Sequence, residues 1–135
     1  MKIKRILIIA FVFILAFGSI SAYAMTTNFT LIAGGASSVS TSETKHVNKG
    51  KLYYHPNRLN PNNSSQWPSG VQINFRGRTN SNDYATYLST VTGAGDYNCT
   101  YFSNSGYIGN KYKIASNLPS NGKCQKAYLS VYWVA

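Results

Sequence analysis

Acidic side chains are nearly absent from this sequence. Only three of its 135 residues are Asp or Glu (Glu43, Asp83 and Asp96), against 13 Lys and Arg. General acid–base catalysis draws on carboxylates and histidines, so this composition disfavours an enzyme with acid–base chemistry. Asp83 and Asp96 flank "YATYLSTVT" and are the one pair open to glycosidase chemistry. An extended segment holds its ends too far apart for that, and both residues stand among Asn, Gly and Tyr as turn formers do. Histidine is scarce as well: His46 and His55 lie in different segments with no nearby cysteine or carboxylate cluster, which is not a zinc ligand set. No G-x-S-x-G elbow and no phosphate-cradling glycine loop leading into a helix occurs. The expectation is a protein without enzymatic activity, cofactor or metal, with an unrecognised hydrolase as the third-ranked reading.

Long apolar runs are missing too. The one uninterrupted stretch, Ile6 to Phe17, is shorter than the roughly 20 residues that span a bilayer. It follows Lys2, Lys4 and Arg5 and precedes Gly18 and "SISAYA", where Ala22 and Ala24 suit a signal peptidase. Residues 1–24 therefore read as a secretory signal peptide, and residues 25–135 as a single exported domain. Without the three leader cations, ten basic side chains face three acids, a net charge of about +7. That balance favours anionic partners outside the cell.

Cysteine is limited to Cys99 and Cys124, both in the exported part. An even number in an oxidising compartment predicts a disulfide, and closing a loop of about 25 residues would stabilise the fold by roughly 3.5 kcal/mol. The alternatives are free thiols or, less favoured, a catalytic or metal role.

What is present is a succession of short strands and turns. "TTNFTLIA" (26–33) reads as a strand that ends at Gly34 and Gly35, with "ASSVSTS" as its hairpin partner. "ETKHVNKGK" (43–51) reads as an exposed basic loop, and "PNRLNPNNSSQWPSG" (56–70) as a long surface loop with Trp67 as anchor. In "VQINFRGR" (71–78), Val71, Ile73 and Phe75 alternate with Gln72, Asn74 and Arg76, the pattern of a strand with one wet face. Residues 83–92 fit either period, with threonine and valine favouring strand. "YNCTYF" follows, then "YIGNKYKIAS" with Ile108, Tyr112 and Ile114 on one side. Last comes "KAYLSVYWV", whose Ala127, Leu129, Val131 and Trp133 predict a strand inside a sheet. The fold class is all-β, a small antiparallel β-sandwich with a barrel as the alternative.

Ten tyrosines lie in the exported part, more than one sheet face can bury. Tyr101, Tyr107 and Tyr128, together with Arg76, Arg78, Lys111, Lys113 and Lys126, are the candidate ligand surface; Lys123 is a further cation available to it. Aromatic rings would stack on sugars while the cations meet phosphate or carboxylate. The expected partner is an anionic cell-wall polymer or glycan. An acidic membrane, approached by a bacteriocin-like antagonist, is the alternative, and nucleic acid is disfavoured. The competing view is that tyrosine suits a half-buried pleat and lysine supplies solubility.

The stretch "YIGNKYKIASNLPSNGKCQKAYLSVYW" (107–133), with its Tyr-x-Ile strand, Asn-Gly turn and final strand ending in Trp, resembles small secreted β-rich proteins of unknown function from Gram-positive bacteria. The resemblance covers the C-terminal half. It implies a compact β fold and an extracellular address, and it carries no site residues.

Overall fold

The computed structural model describes residues 24–46, 50–58 and 70–135, so the expected leader, Trp67 and most of the expected 56–70 loop lie outside the described residues. Among the described residues nine strands follow in chain order: β1 (Met25–Ile32), β2 (Ser38–Val39), β3 (Glu43–Thr44), β4 (Lys51–Arg58), β5 (Ile73–Thr79), β6 (Ser89–Val91), β7 (Tyr97–Thr100), β8 (Lys111–Asn117) and β9 (Lys126–Val134). They form two antiparallel sheets. Sheet A runs β1-β9-β4-β7, and sheet B runs β2-β8-β5-β6 with β3 also on β8. The chain changes sheet at every connection except β2–β3 and β5–β6, which stay in sheet B. That order is the connectivity of a double-sheet jelly roll rather than a closed barrel.

Alternation of apolar and polar residues decides the packing. Phe29, Leu31, Leu52, Tyr54, Leu129, Val131 and Trp133 point inward from sheet A; Ile73, Phe75, Val91, Tyr112 and Ile114 meet them from sheet B. β9 lies between β1 and β4 as its pattern predicts, pairing Phe29 with Leu129 and Tyr54 with Trp133. The Trp133 indole N–H donates to the Thr27 hydroxyl at 3.0 Å. Pro56 lies within β4, so the strand extends past the point where the expected loop begins. β7 pairs with β4 only as far as Tyr54, which leaves Pro56 unpaired on that side and makes its missing N–H tolerable.

Several expectations need correction. β2 is no hairpin partner of β1: Gly34, at φ +71°, turns the chain out of sheet A, and β2 pairs with β8 in the other sheet. The expected basic loop at 43–51 begins as strand β3, with Glu43 and Lys45 turned into the interior. Ile108 is exposed in a turn, whereas Tyr112 and Ile114 are buried as expected. Residues 83–92 are extended: Tyr84 bridges to Arg78 in sheet B, Thr86 bridges to Tyr101 beyond β7, and β6 follows.

The disulfide is absent: Cys99 and Cys124 are both free. The register gives the reason. Cys99 pairs with Leu52, and Tyr53 pairs with Val134, so Cys99 is level with the C-terminal end of β9. Cys124 precedes the opposite end of that strand. At about 3.3 Å per residue the two ends lie on the order of 30 Å apart, far beyond the roughly 7 Å between Cα atoms that a disulfide spans. Cys99 is a core residue whose thiol donates to the Phe75 carbonyl at 3.5 Å, and burial pushes its pKa up to about 11.

Candidate ligand-binding surface

The alternation in β5 that turns Ile73 and Phe75 inward turns Asn74, Arg76 and Arg78 outward on sheet B. Between the two arginines sits Gly77, where a side chain has no room. A Cβ there would lie 2.6 Å from Thr86 Cγ2 and 3.2 Å from Leu52 Cδ1. The close approach lets the Gly77 N–H donate to the Thr86 hydroxyl at 2.8 Å and the Gly77 carbonyl accept from Ala85 N–H at 2.9 Å. These bonds draw segment 84–87 against β5, with Ala85 and Thr86 both buried and Tyr84 facing out.

Tyr84 thereby meets both arginines. The Arg76 guanidinium lies 4.2 Å from the ring centroid and that of Arg78 lies 4.9 Å from it. Two like charges on alternate residues of a strand are about 7 Å apart and repel by on the order of 1 kcal/mol. The ring quadrupole offsets part of that, at about 0.5–1 kcal/mol per contact. Arg78 Nη1 donates to the Asn82 carbonyl at 3.1 Å, and Lys113 Nζ to Asn82 Oδ1 at 3.0 Å. Asn82 holds φ +73°, a left-handed conformation that asparagine tolerates. Neither arginine forms an ion pair among the described residues, and both Nε–H groups are buried without an acceptor. An oxyanion beside these guanidiniums would relieve both the repulsion and the unmet desolvation.

The arginines form one side of a cleft of about 110 Å³. Ala115, which pairs with Arg76, lies beneath it. Tyr84 and Leu88 add apolar surface; Ser37, Asn74 and Asn117 add neutral hydrogen-bonding groups. Where β5 ends and β8 begins, Thr79, Asn80, Ser81, Asn110 and Lys111 line a more open polar hollow.

Of the residues expected to carry a ligand surface, Arg76, Arg78 and Lys113 come together, and Lys111 lies at the end of the same sheet. Tyr107 is exposed in the β7–β8 connection. Lys126 and Tyr128 lie on sheet A instead, with the ammonium 5.1 Å from the ring centroid. Lys123 is in the turn before β9, where its N–H donates to Asn121 Oδ1 at 2.9 Å. Tyr101 is buried and belongs to no surface: its ring packs edge-on against Tyr112 at 4.9 Å, and burial raises its hydroxyl well above the ordinary range. Its position at the end of β7, bridged to Thr86, turns it inward. The Asp83 backbone N–H donates to the Thr79 hydroxyl at 3.1 Å in the turn after β5, and the Asp96 carboxylate accepts from His55 Nδ1 at 2.7 Å on the other sheet, so the two residues serve separate regions.

Sequence reasoning missed Tyr84, Leu88, Asn117 and the buried pair Glu43 and Lys45. The turn residues "TNSND" before Tyr84 were the available signal that the chain folds back on β5. Lys45 is fully buried with its ammonium 4.6 Å from the Tyr101 ring centroid and no hydrogen-bond acceptor, and desolvation lowers its pKa. Burial pushes Glu43 up to about 7, partly opposed by the Ala135 N–H that donates to it at 3.3 Å.

No family model matches the chain, and no curated protein matches it. Among solved structures, PirA is similar at a TM-score of 0.43 and 7% identity, over 80% of this chain and 92% of that one. The Yersinia pseudotuberculosis-derived mitogen (YPM) is similar at a TM-score of 0.43 and 12% identity, over 83% of this chain and 85% of that one.

Proposed function

We propose that this protein is an exported, non-enzymatic binding module that takes an anionic glycan or envelope polymer on the outer face of sheet B. The observation that carries the reading is the pair Arg76 and Arg78, stacked on Tyr84 and without a carboxylate partner among the described residues. Guanidiniums bind oxyanions through paired N–H donors, and stacking on one ring lowers the entropy lost when they engage a ligand. Asn74, Asn117 and Ser37 beside them suit the hydroxyls of a sugar carrying that charge. Export with removal of residues 1–24 is part of the same proposal; the net charge of about +7 that remains draws the domain towards anionic surfaces.

Residues 25–135 incubated with isolated cell walls at low salt test the reading. Sedimentation with the walls, weakening as ionic strength rises and lost in Arg76→Ala/Arg78→Ala, is expected. Undiminished binding by that variant, or none at low salt, would overturn it. Acidic liposomes supply the contrast, since a polymer binder leaves them intact and a membrane-active antagonist releases their contents.

A further inference from the structure

On the opposite side of the molecule, sheet A carries a hollow of about 170 Å³ lined by Tyr53, His55, Asp96, Tyr97, Tyr132 and Val134, with Tyr54 beneath. We propose that it is a second binding site, independent of the sheet B cleft, for a methylated ammonium group of the choline type.

The register brings the rings together. Tyr132 pairs with His55 and Tyr53 pairs with Val134, so the two tyrosines occupy diagonal positions on one face. Diagonal neighbours stand about 7 Å apart, a gap in which a cation lies within about 6 Å of both rings. Tyr132 is 47% exposed, which leaves its ring surface open to a ligand, and Tyr53 beside it is 41% exposed. Tyr97 stacks on Tyr54 with centroids 5.8 Å apart, fixing a third ring at the edge.

Electrostatics select the ligand's sign. Among the described residues Asp96 is the one acidic group in the lining, no lysine or arginine joins it, and its side chain is 97% exposed. His55 Nδ1 holds one carboxylate oxygen at 2.7 Å; the second has no partner among the described residues. An anion would be repelled here. A primary ammonium needs acceptors for three N–H donors, and a sugar needs several partners for its hydroxyls, whereas the walls are largely ring carbon. A quaternary ammonium needs no hydrogen bonds and is attracted both to ring faces and to a nearby carboxylate.

The test is a titration of residues 25–135 with choline, followed by backbone amide shifts. Two probes run in parallel: the uncharged isostere 3,3-dimethylbutanol and the neutral sugar methyl glucoside. Expected are saturable shifts at residues 53–55, 96–97 and 132–134, with choline at least about tenfold tighter than the isostere. Asp96→Asn should weaken choline about fivefold and Tyr132→Ala should remove saturation, with Tyr132→Phe restoring it. Both side chains are exposed enough for the variants to fold. Equal binding of the isostere, binding of the glucoside instead, or no saturable shift with choline would overturn the proposal. If choline binds, phosphatidylcholine vesicles and phosphocholine-coupled dextran identify the carrier. Retention by vesicles indicates a lipid headgroup, retention by dextran alone a soluble polymer, and retention by neither a free small cation. Arg76→Ala/Arg78→Ala leaves this titration unchanged, which separates it from the sheet B reading.

Discussion

On the outer face of sheet B, Arg76, Arg78 and Lys113 stand together without an ion-pair partner among the described residues, whereas on that of sheet A the carboxylate Asp96 stands with His55 among tyrosines. The inner faces of the two sheets are alike, each a row of aliphatic and aromatic side chains. The outer faces differ because surface positions are released from packing. Net charge therefore misdescribes this molecule. A chain with three acids against so many bases is not uniformly coated with cations; it gathers some of them around Tyr84 and places one of its few carboxylates at an aromatic hollow.

The contrast breaks most sharply at the arginines. Arg76→Ala/Arg78→Ala is expected to lower affinity for a sulfated oligosaccharide at low salt by about a hundredfold, near 3 kcal/mol for two charge-assisted contacts. Tyr132→Ala should leave it unchanged, and titration calorimetry on both variants checks the difference. Gly77→Ala reaches the same face from below. The added methyl meets Thr86 and Leu52, so denaturant unfolding should show a loss of about 2 kcal/mol. The oligosaccharide should bind more weakly to that variant as Tyr84 shifts, while choline-dependent shifts on sheet A persist.

Glu43 and Lys45 lie inside the molecule and are expected to affect stability alone. The Glu43 carboxyl titrates near 7 in the fold against 4.5 as its ordinary value, so the folded state holds the proton more tightly. Its contribution is fully present below about pH 4.5, is lost as pH rises to about 7, and is flat beyond. Glu43→Gln removes that loss. Above pH 7 the variant should be more stable than the parent by about 1–2 kcal/mol, since the amide must itself be desolvated, and the difference should shrink on acidification. Urea unfolding at several pH values reads this directly.

The smallest effect concerns the thiols. Cys124, half-buried, should react with an alkylating reagent in the native protein, whereas Cys99 should react only on unfolding. Reductant should leave the melting temperature unchanged, and Cys124→Ser should cost under about 0.5 kcal/mol. Intact-mass analysis after alkylation counts the labels.

Strands β5 and β9 were legible because Ile73 and Phe75, and Leu129, Val131 and Trp133, alternate with polar neighbours and only one register buries them. The two arginines on one wet face could be read from that same period. Sheet membership was not legible: "ASSVSTS" follows a glycine turn like a hairpin partner, and nothing local indicates that Gly34 sends it to the opposite sheet. The cysteines misled because pairing depends on strand register, which spacing along the chain does not report. Lys45 was read as solvated because lysine usually is. Its burial follows from pairing of Glu43 with Tyr112, a contact between distant segments. Tyr84 reaches the arginines through tertiary folding of residues 79–87, of which the sequence shows only the turn.

The most direct measurement maps the ligand on the protein. Amide shifts of residues 25–135 titrated with a sulfated oligosaccharide at low salt are expected to cluster at Asn74, Arg76, Arg78, Tyr84, Ala115 and Asn117, and to fade as salt is added. Shifts confined to Tyr53, His55 and Tyr132 on sheet A, or spread evenly over all lysines, would contradict the assignment of the anionic ligand to sheet B.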